Sequence, residues 1–506
     1  MEQQATLYYY IYQDLITQMY TGQLAHGDEL PSLAELCAQY TVGRNTMRNA
    51  LQLLSENAYI DILHGKKARV MFDYNDPHYK DPYKNELLHR TDAILDIYDT
   101  MALVMPDLAI SCLSQASPAQ HAELLVTLRA IEHSIFNVTQ QELYRSLLNF
   151  YTTVNAISNN PLQLHLFRSM FRFVQTPLAA SSQHASSYRA GLLMIKTVLK
   201  TLEYCVSHHK NELLRNEIRM FAQLVRTQTA SYLKRISAEL PACTPAPVQI
   251  PFTWYYAPGQ DYLYYNVVFS LIDKITHGIY PLGTTLPSYL FLSQQYGVSE
   301  KTSRKAIAVL RELQIVITAP GKSTRIAQIP ALDKTMFLEN EFLHTTVFTF
   351  YHAMHLFTSI CRVVVLRAVP LLCQEQITAI IGQLQSCQAQ NHKMLPALES
   401  LTDLFFTASP SPSMQMIYAE LKQAMGGGIF IEYCSIDEEM VPDTDWRLMQ
   451  LITYLRQGNI AAVADSFTDI YVNLFGYAKR FADSIGLNIE LTLANSDISC
   501  KIEEAT

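Results

Sequence analysis

Arg44, Asn45, Thr46 and Arg48 lie within five consecutive positions, and the chemistry they suit is hydrogen bonding to base edges and phosphates. Arg44 and Arg48 are four apart, so on a helix they share one face and set two guanidinium forks side by side. Thr46 offers a hydroxyl to a phosphate or a methyl group to thymine. Upstream, Ser32 can cap a helix and donate to phosphate. Downstream, Lys66, Lys67 and Arg69 follow Gly65, a tight turn whose cations can reach the backbone or the minor groove. A second set stands 256 positions later: Ser288, Lys301, Thr302, Arg304, Lys305, Lys322 and Arg325, with Gly321 in the turn. There Glu300 replaces Arg44 and inverts the charge. It suits acceptance from a cytosine amino group, or it marks a unit that has lost its original site.

Each set needs three helices and a hairpin to hold it. Ile11, Leu15, Ile16 and Met19 form a helical stripe, and Gly22 falls at that helix's end. Ser32 with Glu35 forms a capping-box pattern at the start of a second helix. A third helix is expected from about Gly43 through Leu54 to about Asn57. Residues 59–63 and 69–71 alternate like two strands around the Gly65 turn. The same plan repeats without a gap, since Gly22, Pro31, Arg48 and Gly65 each recur 256 positions on, as Gly278, Pro287, Arg304 and Gly321.

The chain has 506 residues, 49% hydrophobic and 17% charged, enough for several domains with their own cores. The expected organisation is a winged helix-turn-helix over 1–75, a helical region over 84–236, a Pro-rich extended linker over 237–259, a second winged unit over 260–328 and a second helical region over 333–487. The fold class is mainly α: two winged units, each three helices plus a β-hairpin, alternating with two all-helical bundles. A formal net charge of −8 leaves any nucleic-acid contact to local basic patches. The first unit has five bases against eight acids up to Asp73, 5 − 8 = −3, and the second has seven against four, 7 − 4 = +3. Nine cysteines without a zinc-knuckle spacing, and an N-terminus unlike a signal peptide, favour reduced thiols and a cytoplasmic setting. The apolar stretch 347–373 is broken by His352, His355, Arg362 and Arg367, so a buried helix is expected rather than a membrane span.

The segments IYQDLITQMYTGQLAHGDELPSLAELCAQYTVGRNTMRNALQLLSENAYI and VFSLIDKITHGIYPLGTTLPSYLFLSQQYGVSEKTSRKAIAVLRELQIV resemble the GntR family of bacterial transcription regulators. The landmarks are the LPS step, the helix at Arg44–Arg48 and the Gly-containing wing, over about 130 residues. The helical regions resemble the ligand-binding domain of that family's FadR-like branch through Met105-Pro106 and FYTTVNAISNNP at 150–161. The resemblance implies double-stranded DNA as partner, a small-molecule effector, and either a homodimer through the helical regions or one chain acting as its own pair. The branch's metal-site Asp and His would fall at Leu147, Tyr151 and near Tyr188, and in the second half at Asp403 and Thr407. No family-type metal site and no cofactor are therefore expected. The branch's effector-binding arginine is replaced near Met101.

Other candidates read more plainly. His352 and His355 are expected to be packed, His208-His209 to be a solvated helix end, and Gly426–Gly428 to be a break between helices. Tyr8–Tyr10 and Tyr255-Tyr256 are expected to pack onto the winged units ahead of their first helices. No Ser-His-Asp, paired-carboxylate or phosphate-loop pattern supports an enzyme. A pyridoxal-phosphate domain, fused to a winged unit in one branch of the family, does not fit between the two units here. The remaining alternative is an interaction scaffold that does not bind DNA.

Overall fold

The structure is a computed structural model that describes residues 2–20, 22–40, 42–62, 67–73, 76–174, 185–239, 248–255, 262–318, 323–327, 334–389, 395–430, 442–487 and 489–493. The first unit consists of α1 (Glu2–Tyr20), α2 (Leu33–Gln39), α3 (Arg44–Glu56), β1 (Ile60–Asp61) and β2 (Arg69–Val70). Ile11, Leu15, Ile16 and Met19 of α1 are buried with Met47, Ala50 and Leu54 of α3, as the helical stripe requires. β1 and β2 pair antiparallel with Ile60 opposite Val70. Gly27, at φ +86°, donates its N–H to Val70 O at 2.8 Å and ties the α1–α2 connection to the wing.

A helical region follows: α4 (Pro77–Leu88), α5 (Thr91–Gln115), α6 (Pro118–Ser134), α7 (Gln140–Ala156), α8 (Pro161–Phe173), α9 (Ala185–Ser207) and α10 (Asn211–Ala238). Its starts are written in the sequence as caps: Ser117 with Gln120 and Thr139 with Glu142 make capping boxes, and Asn160 caps α8 ahead of Pro161. The second unit repeats the first as α11 (Tyr262–Thr276), α12 (Tyr289–Tyr296), α13 (Glu300–Glu312), β3 (Val316–Thr318) and β4 (Thr324–Ile326), with Val316 opposite Ile326. Then come α14 (Lys334–Glu339), α15 (Glu341–Ala368), α16 (Gln374–Ala389), α17 (Leu395–Thr407), α18 (Pro412–Met425), α19 (Pro442–Gln457) and α20 (Ile460–Ser484). The repeat that is faint in the helical sequences is plain in this order. In both halves the third helix after a long one, α8 after α5 and α18 after α15, opens on a polar cap and proline, Asn160-Pro161 and Ser411-Pro412.

The halves meet through these helices. α5 packs on α15, α8 on α15, and α18 on α5. Asn160 caps α8 with its oxygen and donates its amide to His352 O at 2.9 Å and to His355 Nδ1 at 3.1 Å. His355 Nε2 in turn meets Thr492 O at 2.9 Å. Reciprocally, Ser411 of α18 meets Thr100 of α5 at 2.9 Å, and Asp96 accepts the Ser413 N–H at 2.7 Å. The expected packing of both histidines holds, for His352 and His355 are buried in α15. By length and apolar composition Glu341–Leu371 could cross a membrane; here it is the core helix of the second half. Gly427 lets the chain pass α15 closely, since an added Cβ would stand 2.8 Å from Thr346 O.

Two expectations change. Residues 237 and 238 belong to α10, and residues 248–255, around Pro251, are docked against the first half. Ile250 N–H donates to His89 O at 2.7 Å, and Trp254, fully buried, donates from Nε1 to His165 Nδ1 at 2.8 Å. Tyr8–Tyr10 lie inside α1 rather than ahead of it. Tyr10 stacks edge-on against Tyr255, so it faces this strap rather than its own unit; Tyr256 is outside the described residues.

Burial lowers the pKa of both His165 and His355 to about 4, from the ordinary 6.5. The unfolded chain therefore binds more protons than the folded one between those values. Stability from these groups is complete above pH 6.5 and declines as pH falls towards 4. Melting measured at pH 7 and pH 5.5 is expected to show a loss of roughly 1 kcal/mol per histidine. A His355→Gln variant should show a shallower dependence, and equal slopes would refute the assignment.

Candidate nucleic-acid interface

Ser32 accepts the Glu35 N–H at 3.2 Å, and Glu35 accepts the Ser32 N–H at 2.7 Å, which fixes the start of α2. These hydrogen bonds hold the Glu35 carboxyl below its ordinary range, with Lys67 of the wing 3.9 Å away. Arg48 projects from α3 into the same space. Ser32, Arg48 and Lys67 thus line one groove of about 700 Å³ between α2, α3 and the wing. The hydroxyl of Ser32 and the ammonium of Lys67 suit a phosphate at that position, and Arg48 between them is free to reach a base edge. Arg44, Asn45 and Arg48 are exposed and Thr46 is half-buried; neither arginine has an ionic partner among the described residues. Arg69 pairs weakly with Glu29 at 4.0 Å. Lys66, Gly65, Lys322 and Gly321 lie outside the described residues.

The second unit keeps the framework and changes the chemistry. Ser288 caps α12 by accepting the Phe291 N–H at 3.2 Å, with no carboxylate in the place of Glu35. Ser299 caps α13, accepting the Thr302 N–H at 3.1 Å and sharing a 2.8 Å hydroxyl contact with Thr302. Arg304 donates to Glu300 at 2.6 Å, and its guanidinium lies 4.6 Å from the centre of the Tyr289 ring. Lys305 lies 4.0 Å from the Tyr264 ring centre. Lys301 and Arg325 are exposed. Arg325 sits opposite Thr285, so the acid that faces Arg69 has no counterpart there.

Sequence reasoning missed what holds the first unit to its helical region. Asp14 of α1 accepts from Arg172 of α8 at 2.8 Å, from Gln18 at 2.8 Å and from the Tyr40 hydroxyl at 2.5 Å. Burial, then the charge of Asp14, pushes the Tyr40 hydroxyl far above its ordinary range. The available signal was an acid at position 14 inside the buried stripe of α1. At the second junction the corresponding residues are Ser270 and Gln423, and a cleft of about 770 Å³ separates α11 from α18.

The first helical region contains an apolar cavity of about 90 Å³, lined among others by Met101, Leu147, Tyr151, Phe167, Phe171 and Phe221. Three of these, Met101, Leu147 and Tyr151, stand where the FadR-like pattern would place an effector-binding or metal-binding group. Burial pushes the Tyr151 hydroxyl up to about 12. Tyr188 has no described side chain. In the second half Asp403 accepts two 2.8 Å bonds from Lys422 and one at 2.5 Å from Tyr418. No cluster of three metal-ligating side chains occurs among the described residues.

Residues 7–70 and 263–326 each match the family of bacterial regulatory proteins, gntR family. The HTH-type transcriptional regulator TreR of Bacillus subtilis (strain 168) is 41% identical over 61 residues, 12% of this chain and 26% of TreR. The chain thus spans about a quarter of that relative's length. Among solved structures, Streptococcus agalactiae GntR is 15% identical with a TM-score of 0.20, covering 42% of this chain and 99% of its own. E. coli McbR/YncC is 16% identical with a TM-score of 0.26, covering 43% and 98%. The helical regions lie outside both family-matched segments.

Removing Arg172 strands Asp14, whose side chain is only 7% exposed. Arg172→Ala is expected to cost roughly 3 kcal/mol, and Arg172→Lys distinctly less, read from chemical denaturation midpoints. Equal stability of Arg172→Ala and wild type would show that the ion pair holds nothing.

Proposed function

We propose that this chain, which carries two gntR-type helix-turn-helix units, is a DNA-binding transcription regulator that presents both units from a single polypeptide. The observation that carries the reading is the convergence of Ser32, Arg48 and Lys67 on one groove, beside an unpaired Arg44, in a unit that the chain contains twice. Arg44, Asn45, Thr46 and Arg48 in the first unit, and Lys301, Thr302, Arg304 and Lys305 in the second, are the groups proposed to enter the major groove. Ser32, Lys66, Lys67, Arg69, Ser288, Lys322 and Arg325 are assigned to the backbone. The reciprocal packing of α5, α8, α15 and α18 supports one chain acting as its own pair. Its setting is the cytoplasm.

A role for the second unit in binding protein has one observation in its favour. Leu290, Phe291 and Ile317 are exposed where the first unit has Ala34, Glu35 and Asp61. Binding to DNA selected from a random pool separates the readings. Arg48→Ala is expected to weaken binding by roughly 5- to 150-fold. Lys67→Ala should weaken all sequences alike and lower the salt slope by about one. Full affinity in both variants, or no retained DNA, defeats the DNA-binding reading.

The apolar cavity beside α8 is the proposed effector site, and its lining of aliphatic and aromatic side chains suits a small uncharged ligand. Benzene is expected to raise the melting temperature of wild type but not of Ala222→Phe, whose ring would occupy the cavity. An identical shift in both would place the ligand elsewhere.

A further inference from the structure

We infer that Glu300, Arg304 and Tyr289 make the second unit read a different base from the first, so that the two arms of the operator are unlike at one defined base pair. This rests on the DNA-binding reading above. In α3, Arg44 and Arg48 stand one turn apart, both exposed and both without an acid partner among the described residues. Each can bond to guanine O6 and N7, so this unit specifies two guanines at neighbouring positions. In α13 the same two places hold Glu300 and Arg304.

Arg304 is not a free arginine. One of its terminal nitrogens is held by a Glu300 carboxylate oxygen at 2.6 Å, and its face lies over the Tyr289 ring with 4.6 Å to the ring centre. Tyr289 stands where the first unit has Leu33, so only the second unit can hold its arginine in this way. The guanidinium is fixed from an edge and from a face. It keeps donors for one guanine, while Glu300 keeps a second carboxylate oxygen as acceptor. A carboxylate among phosphates is tolerated where a base amino group meets it, and cytosine N4 provides that group in the major groove. Facing guanine O6, the same carboxylate meets an acceptor, and that mismatch is the source of discrimination. Glu300 therefore specifies cytosine where Arg44 specifies guanine, Arg304 keeps its guanine, and Tyr289 is a positioning residue.

The test is selection of bound DNA from a random pool by the full chain and three variants, followed by titration of the selected sites. Wild type is expected to select arms that differ by guanine against cytosine at the position of residues 44 and 300. Glu300→Arg should turn the second arm into a copy of the first. Glu300→Gln, a near-isosteric change on an exposed helix face, should shift that base from cytosine to adenine, because glutamine pairs with adenine N6 and N7. Each change should alter the affinity ratio of the two bases by roughly 5- to 150-fold. Tyr289→Leu should leave the cytosine and relax the guanine assigned to Arg304. Two identical arms in wild type, or a second arm unmoved by both Glu300 substitutions, overturns the inference while leaving DNA binding standing. Recovery of no DNA by wild type removes the reading beneath it.

Discussion

The side chain of Asn160 closes two structures at once, and much of the architecture depends on it. Its oxygen satisfies the first N–H groups of α8, and its amide nitrogen reaches the backbone and imidazole of α15. Because Nδ1 of His355 accepts, Nε2 carries the proton and donates to Thr492 O. One neutral tautomer therefore links α8, α15 and the segment after α20. A buried charge here would place N–H against N–H, which explains why burial and function of the imidazole in the fold go together. The far end of the same helix carries Arg172, which grips Asp14 of the first winged unit. α8 thus runs from the seam between the halves to the first winged unit, and it lines the apolar cavity on the way.

How much of this was legible follows from the range of each interaction. The winged units were readable because their signals are local: the capping pair Ser32 and Glu35, the stripe of α1, and glycines where the backbone turns. The i, i+4 spacing of Glu300 and Arg304 permits the pairing the structure shows, although from sequence Glu300 was set only against a cytosine amino group or a lost site. Tyr289 over Arg304 was not visible, since it joins two helices whose approach depends on the fold. Asp14 with Arg172 is separated by 158 positions, and Asn160 with His355 by 195; no periodicity reports such pairs. The strap 248–255 misled for a related reason. Proline and low charge argue for a linker and say nothing of Trp254, whose indole lands on His165.

The two junctions show how one plan yields unlike parts. In the first half an ion pair and a tyrosine lock α1 to α8. In the second, Tyr296 turns inward to Ser270 and Lys274 of α11, each at 3.0 Å, and α18 stands apart across the cleft. The exposed faces of the two winged units diverge in parallel. In α3 Arg44 and Arg48 have no ionic partner among the described residues, within an acidic setting, whereas in α13 Arg304 is paired with Glu300 within a basic one. The winged frame tolerates this because its buried residues, not its exposed ones, fix the relation of the three helices.

The reciprocal seam has a further consequence for how such a molecule can change. Where two separate copies of one chain pair, a single substitution is expressed on both sides of the contact, so each side must remain compatible with its own image. Here Asn160 meets His355 on one side while Ser411 meets Thr100 on the other. The covalent join frees each contact to change by itself. Inheritance no longer enforces symmetry, and two halves built on one plan can become a left and a right.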